Sequence, residues 1–231
     1  MRTITATEQM VSPSADRRAA ILSALVPGLG QATHGQVGRA MMVVAVTLLL
    51  LALSWATGRV AGVSGAIFVL MLVGLPWWSI QAYDAWLGPQ TAGIGFGRTL
   101  RLIWERAHDL RYLGALFLLT ALTDFYIIVA NPEYALTVFC QKPAGVLGIL
   151  AKAQSPTLHT LIGYGFLRLR RWALFLYLVY ATFGLVNGTV NYACFGYGRV
   201  RTVFLLSLLA FTAYILWRRD RFQPGPAARA L

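Results

Sequence analysis

An all-α, polytopic integral membrane bundle of about six transmembrane helices, with both chain ends cytoplasmic, is the fold class this sequence predicts. Three observations predict it. The 231 residues are 58% hydrophobic and only 12% charged, about half the charge of a soluble domain. The apolar residues come in runs long enough for helices to cross a hydrocarbon core of ~30 Å, which takes ~20 residues, and they do not alternate as the strands of a membrane barrel do. The cations, 20 Lys and Arg against 8 Asp and Glu, gather beside these runs. An ordinary soluble enzyme, a disordered chain and a disulfide scaffold are excluded by the same composition. A net charge of +12 on a soluble chain would point to nucleic acid. Here no soluble domain is left to hold such a fold, so no nucleic acid is expected, and the cations are expected to meet anionic lipid headgroups.

The elements follow in order. Residues 1–18 form a polar cytoplasmic N-terminus that ends in Arg17-Arg18. In the unit 19–86, the run Ala19–Val26 is stopped by Pro27-Gly28 and is too short to span. It reads as an interfacial or half-inserted segment, not a cleaved signal peptide. A transmembrane hairpin follows, with helices over about 40–56 and 60–83. Residues 87–112 read as a basic cytoplasmic linker. A four-helix membrane unit over 113–217 has helices at about 113–130, 157–169, 172–195 and 200–217, with a long loop from Asn131-Pro132 to Pro156. The tail 218–231 is basic, and its Pro/Gly/Ala end is expected to be disordered.

The cations test this layout. With six alternating spans and the N-terminus inside, 15 Lys and Arg fall on the cytoplasmic side and 5 (Arg59, Lys142, Lys152, Arg199 and Arg201) on the other, as the positive-inside rule expects. Removing the short fourth helix makes the split 10 to 10, so the helix is kept despite its length. Trp55, Trp77, Trp78, Trp172 and Trp217 lie near span ends, where amphipathic rings settle at the headgroups.

The clearest local motif is Pro27-Gly28-Leu29-Gly30-Gln31, followed by His34-Gly35 and Gly38. Glycine and proline there favour a tight turn with close backbone approach before the first span. The second span ends in Gly74-Leu75-Pro76-Trp77-Trp78, then Asp84. Over residues ~20–86 this pattern resembles the bacterial two-transmembrane-domain family. The resemblance implies a membrane hairpin in a bacterial cytoplasmic (inner) membrane and names no reaction. Neither Gly28-Leu29-Gly30 nor Gly93-Ile94-Gly95-Phe96-Gly97 has the strand and spacing of a nucleotide fingerprint.

Within the spans, Asp124 stands out. It lies about 11 residues into the predicted third helix, near mid-membrane, where an ionised carboxylate costs at least ~2.5–3.5 kcal/mol. It must face other helices, pair, or stay protonated, either as a proton or cation site or as an interhelical hydrogen bond to Tyr or Asn of the fifth helix; if its own helix starts earlier, Asp124 lies nearer the outer headgroups, and His159 can approach it only with that shift. The predicted fifth helix carries Tyr177, Tyr180, Gly184, Asn187 and Asn191 on one face. Two readings stand for this stripe, a packing seam or a hydrophilic path. Gly184 and Gly188 permit close helix approach beside it, and Ala61 and Gly65 on the second helix make another small-residue seam. Cys140 and Cys194 both fall towards the outer side, so a disulfide between them is geometrically conceivable in an oxidising compartment; two free thiols packed as small apolar groups are the expected state. His34, His108 and His159 are far apart, so no metal, cofactor or catalytic set is expected. The expected role is a non-catalytic accessory, scaffold or assembly subunit beside other membrane proteins or further copies of itself. The alternative is a small transporter or channel using Asp124 and the Tyr177/Tyr180/Asn187/Asn191 stripe.

Overall fold

The computed structural model describes residues 16–88, 95–131, 133 and 135–223. Among these residues every regular element is helical. Four helices are long and apolar enough to cross a membrane: Val37–Val63, Gly65–Leu87, His108–Ala130 and Arg171–Phe195. The chain divides into two compact units, Met1–Arg106 and Ala107–Leu231.

In the first unit, α1 (Arg17–Leu25) starts at Asp16, whose Oδ1 accepts from the backbone N–H groups of Arg18 and Ala19 at 2.9 and 3.1 Å. This is a side-chain N-cap. The segment does not stand alone at the surface. It packs on the end of the second hairpin arm, with Ala19 and Ser23 buried, and the Trp78 indole N–H donates to the Ala24 carbonyl at 2.8 Å. Gly28, at φ 90°, turns the chain into α2 (Leu29–Thr33). Gly30 then sits so close to α1 that a Cβ there would lie 2.1 Å from the Ala19 carbonyl oxygen; only glycine fits.

The hairpin arms are α3 (Val37–Val63) and α4 (Gly65–Leu87). Gly62, at φ 76° and ψ −179°, reverses the chain between them. The arms are tied by Ser54 Oγ to the Ala66 carbonyl at 2.9 Å and Trp77 Nε1 to Thr47 Oγ1 at 3.0 Å. Two expectations change here. Ala61 and Gly65 do not form a seam on one helix: they flank the turn, and a Cβ on Gly65 would lie 2.7 Å from that of Ala61. The linker 87–112 is not a plain loop either, because it contains α5 (Phe96–Glu105) and the first turn of the next span. α4 carries a π-turn at Leu70–Gly74, just before Pro76, whose missing N–H disrupts regular helical pairing.

In the second unit, α6 (His108–Ala130), α7 (Gly145–Leu167), α8 (Arg171–Phe195) and α9 (Arg199–Trp217) follow one another. α6 begins at residue 108 rather than 113. α7 begins at 145 rather than 157, so the loop expected to reach Pro156 is half helix. Pro156 sits inside α7, where neighbouring groups can re-satisfy the backbone it interrupts. α6 and α7 meet backbone to backbone: a Cβ on Gly114 would lie 2.8 Å from the Gly163 carbonyl oxygen, and one on Gly163 the same distance from that of Gly114. Gly184 and Gly188 lie against Leu208 and Leu205 of α9, so this small-residue seam is occupied within the chain. The core gathers Leu110, Ile162, Phe166, Tyr177 and Ile215. Within the tail, Phe222 is buried against Phe166 and the Gln223 N–H donates to the Leu169 carbonyl at 2.7 Å. The remaining tail, 224–231, lies outside the described residues.

Candidate functional site

Among the described residues, several polar assemblies are built into this apolar framework. The first closes the open end of the hairpin. Asp84 on α4 is fully buried, and its carboxylate accepts from three side chains through four donor atoms. Arg39 Nε reaches Oδ2 at 2.8 Å, and a second Arg39 nitrogen contacts Oδ1. Gln31 Nε2 reaches Oδ2 at 3.1 Å, and Thr99 Oγ1 reaches Oδ1 at 2.6 Å. Gln31 also donates to the Gln81 carbonyl, and its Oε1 accepts from Ser23. Residues of the Pro27–Gln31 motif and the Asp after the tryptophans thus meet in one buried network. Paired this way, a buried carboxylate is tolerable, whereas alone it would not be. The motif residues act structurally: Gly28 and Gly30 bring α1 and α2 close enough for Gln31 to reach Asp84.

The second assembly holds the end of α6 to the loop and α8. Cys140 and Cys194 form a disulfide, with their Cα atoms 6.1 Å apart. The expectation of two free thiols is therefore corrected: the loop after α6 folds back over the end of α8, which brings the sulfurs together despite 54 residues of separation. Asn187 Oδ1 accepts from the Phe139 N–H at 2.8 Å, Asn191 Oδ1 accepts from the Cys140 N–H at 2.7 Å, and both amides donate to the Thr137 carbonyl at 3.3 Å. Two members of the predicted stripe thus satisfy a loop backbone that has left regular structure. Tyr177 bonds Thr212 of α9 at 2.9 Å.

The third assembly contains Asp124 and is the candidate site. Because α6 starts early, Asp124 lies six residues from the helix end at Ala130, ~9 Å along the axis, rather than at mid-helix. Its Oδ2 accepts from Ser155 Oγ at 2.6 Å and contacts His159 Nδ1 at 2.7 Å; His159 Nε2 is 2.9 Å from the Tyr180 hydroxyl. A carboxylate accepting at Nδ1–H sets the tautomer, leaving Nε2 to accept from the phenol. The result is a continuous chain, Asp124–His159–Tyr180, across three helices. The His159 side chain is 7% exposed and that of Asp124 is 22%. Phe117 packs on the imidazole and on Tyr180, which strengthens the chain by excluding water. Chemically, such a chain can hold a proton at either end of the imidazole and move it along the line.

No family model, curated protein or solved structure matches this chain. What the chain does must be read from these assemblies. Asp124 and Tyr180 come together through His159, which could approach Asp124 only with the third predicted helix shifted, as its start at His108 makes it; Ser155, which also bonds Asp124, is the residue the sequence reading missed. Ser155 and His159 stand four apart in the sequence, one helical turn; that spacing was the available signal, hidden by ending the loop at Pro156. Asp109, Arg218 and Tyr214 were also not anticipated: Arg218 Nε and a terminal nitrogen each reach Asp109 at 2.9 Å, and Tyr214 donates to it at 2.6 Å. This pair ties the first turn of α6 to the end of α9. Among the described residues, no group of three or more His, Cys, Asp or Glu could hold a metal ion.

Proposed function

We propose that this chain is a non-catalytic membrane subunit that scaffolds or assembles a larger complex in a bacterial cytoplasmic membrane. The observation that carries this reading is the first unit: a polar lock fixes one end of a hairpin whose arms present apolar residues outward. Leu49, Trp55, Val60 and Val63 are each at least two-thirds exposed. A hairpin anchored at one end and apolar over its length offers partner helices a rigid surface at membrane depth. The resemblance to two-transmembrane-domain proteins over residues ~20–86 supports the same reading.

A six-span arrangement with both ends cytoplasmic goes with it. α7 has 23 residues and α9 has 19, ~35 and ~28 Å long at 1.5 Å per residue. In the second unit the disulfide end carries Lys142, Lys152, Arg199 and Arg201; the other end carries Arg111, Arg168, Arg170, Arg171, Arg218, Arg219 and Arg221. Disulfides persist on the oxidising side and cations concentrate inside, so the two signals agree on orientation.

Photo-crosslinking from Val60 or Val63 in native membranes tests the reading. Adducts with a defined protein, or with a second copy, are expected. Adducts with lipid alone, together with a monomer in mild detergent, would overturn it. A second reading, a small transporter or channel, is favoured by Asp124 and its chain. Three stripe residues, Tyr177, Asn187 and Asn191, are already engaged by Thr212 and the loop backbone, which narrows that path to Asp124, His159 and Tyr180. Proton or solute flux into liposomes that falls in Asp124→Asn would favour transport over scaffolding.

A further inference from the structure

Helix α5 is strongly amphipathic. Phe96, Leu100 and Ile103 follow one another along one side, with Trp104 beside them, and Arg98, Arg101 and Glu105 follow one another along the opposite side. The polar lock sets where this helix sits. Thr99 is fully buried and donates to Asp84, near the end of the α4 arm. Phe96 stacks on Trp77 and lies under the guanidinium of Arg39, near the start of the α3 arm. α5 therefore lies at the level where both arms end, which is the headgroup level of a membrane that the arms cross.

Two features of α5 remain after its packing on the lock. Leu100, on the apolar side, is 49% exposed. On the other side Arg98, Arg101 and Arg106 are exposed, as is Glu105. Arg98 and Arg101 also line an open hollow of about 620 Å³, together with Gly95, Gly97, Leu102 and Glu105, a volume within the roughly 300–1,000 Å³ of small-ligand sites. A helix lying in a membrane surface puts its apolar side into the acyl boundary and its cations among the headgroups, and guanidinium forks match phosphate oxygens. We propose that α5 lies in the membrane surface and that the Arg98/Arg101 hollow takes the phosphodiester headgroup of an anionic phospholipid, with Leu100 entering the acyl boundary. Glu105 offsets one of the two cations of the hollow, so the preference for an anionic over a neutral headgroup is that of about one net charge. The proposal rests on the first hairpin crossing a membrane, but not on the chain being a scaffold subunit.

The two native cysteines are joined to each other, so Leu100→Cys supplies a free thiol for an environment-sensitive dye on the intact chain. Nanodiscs contain phosphatidylcholine and phosphatidylglycerol in equal amounts, with a spin label high on the acyl chain of one lipid or of the other. The dye is expected to be shielded from aqueous iodide. Labelled phosphatidylglycerol should quench it about three- to fivefold more effectively than labelled phosphatidylcholine, as one net surface charge implies. Adding Arg98→Gln and Arg101→Gln, both at exposed positions, should bring that ratio to about one with helical content unchanged. Raising salt from about 0.1 to 1 M, which shortens screening from about 10 to 3 Å, should do the same. Iodide access at residue 100, equal quenching by the two lipids, or a ratio unmoved by the arginine substitutions would each overturn the proposal. Shielding without quenching by either lipid would assign this side of α5 to a protein partner and overturn it as well. The same dye on Leu49→Cys, at an α3 residue 67% exposed, reports the hairpin separately. Quenching there by a label deep in the acyl chain leaves the membrane hairpin standing if α5 fails, whereas iodide access there would overturn both.

Discussion

Replacing Asp84 by Ala should cost the first unit more stability than any other single change in it. The carboxylate is fully buried, the Arg39 side chain is 11% exposed, and Asp84 receives donors from α2, α3 and α5 at once. Removing one partner of a buried pair typically costs 3–5 kcal/mol, because the remaining charge loses its compensation. Arg39 also stacks on Phe96, its guanidinium 4.6 Å from the ring centre, and keeps some access to water, so a loss near the low end, about 3 kcal/mol, is expected. The assay is denaturant titration in mixed micelles, followed by tryptophan fluorescence, since Trp77 and Trp78 hydrogen-bond Thr47 and Ala24 beside the lock. Completing the cycle with Arg39→Met and the double variant should give a coupling energy of about 2 kcal/mol or more. A single-variant loss below about 0.5 kcal/mol, the range of ordinary surface changes, would refute the reasoning that this network holds the hairpin end together.

Other perturbations follow from the second unit. Gly114→Ala and Gly163→Ala should each cost about 1–3 kcal/mol by overpacking a backbone contact, and the double variant should cost less than their sum because one displacement relieves both; strict additivity in a stability cycle would contradict the contact. Cys140→Ser should lower stability by about 2–4 kcal/mol, and the wild type should resist maleimide labelling until reduced; immediate labelling of both thiols would contradict the disulfide. Asn191→Ala should cost about 1–2 kcal/mol by leaving the Cys140 N–H unsatisfied and should speed reduction of the disulfide, measured by gel shift. Arg218→Met should destabilise by about 1–3 kcal/mol through the partly buried Asp109 carboxylate it abandons, whereas Arg219→Met, whose side chain is 70% exposed, should be neutral in the same titration.

The long apolar runs were legible because a helix in lipid must be apolar over its length. The Pro27–Gln31 turn was legible as well, since glycine spacing implies close approach; Gly30 against Ala19 shows why. What the sequence hid was polar pairing across helices. Pro156 reads as a stop by local rules, but α7 runs through it, and only then do Ser155 and His159 face Asp124. The start of α6 at His108 was masked by Asp109 and Arg111, which read as linker polarity; Asp109 is in fact the partner of Arg218, 109 residues away. Periodicity puts the Tyr/Asn stripe on one face but cannot say what that face meets. Asn187 and Asn191 meet an irregular loop, whose conformation depends on Phe139 and Cys140 at φ 46° and 67°, left-handed values that no local pattern announces for these residue types.

The orientation we propose, with the cation-rich ends of the helices in the cytoplasm and the Cys140–Cys194 end on the oxidising side, is the claim on which the functional reading rests. A paired reporter measurement tests it most directly, with green fluorescent protein fused after the C-terminal residue and alkaline phosphatase inserted between residues 135 and 138. Bright fluorescence at the first site with active phosphatase at the second is the predicted result. A dark C-terminal fusion with inactive phosphatase in the loop would contradict it.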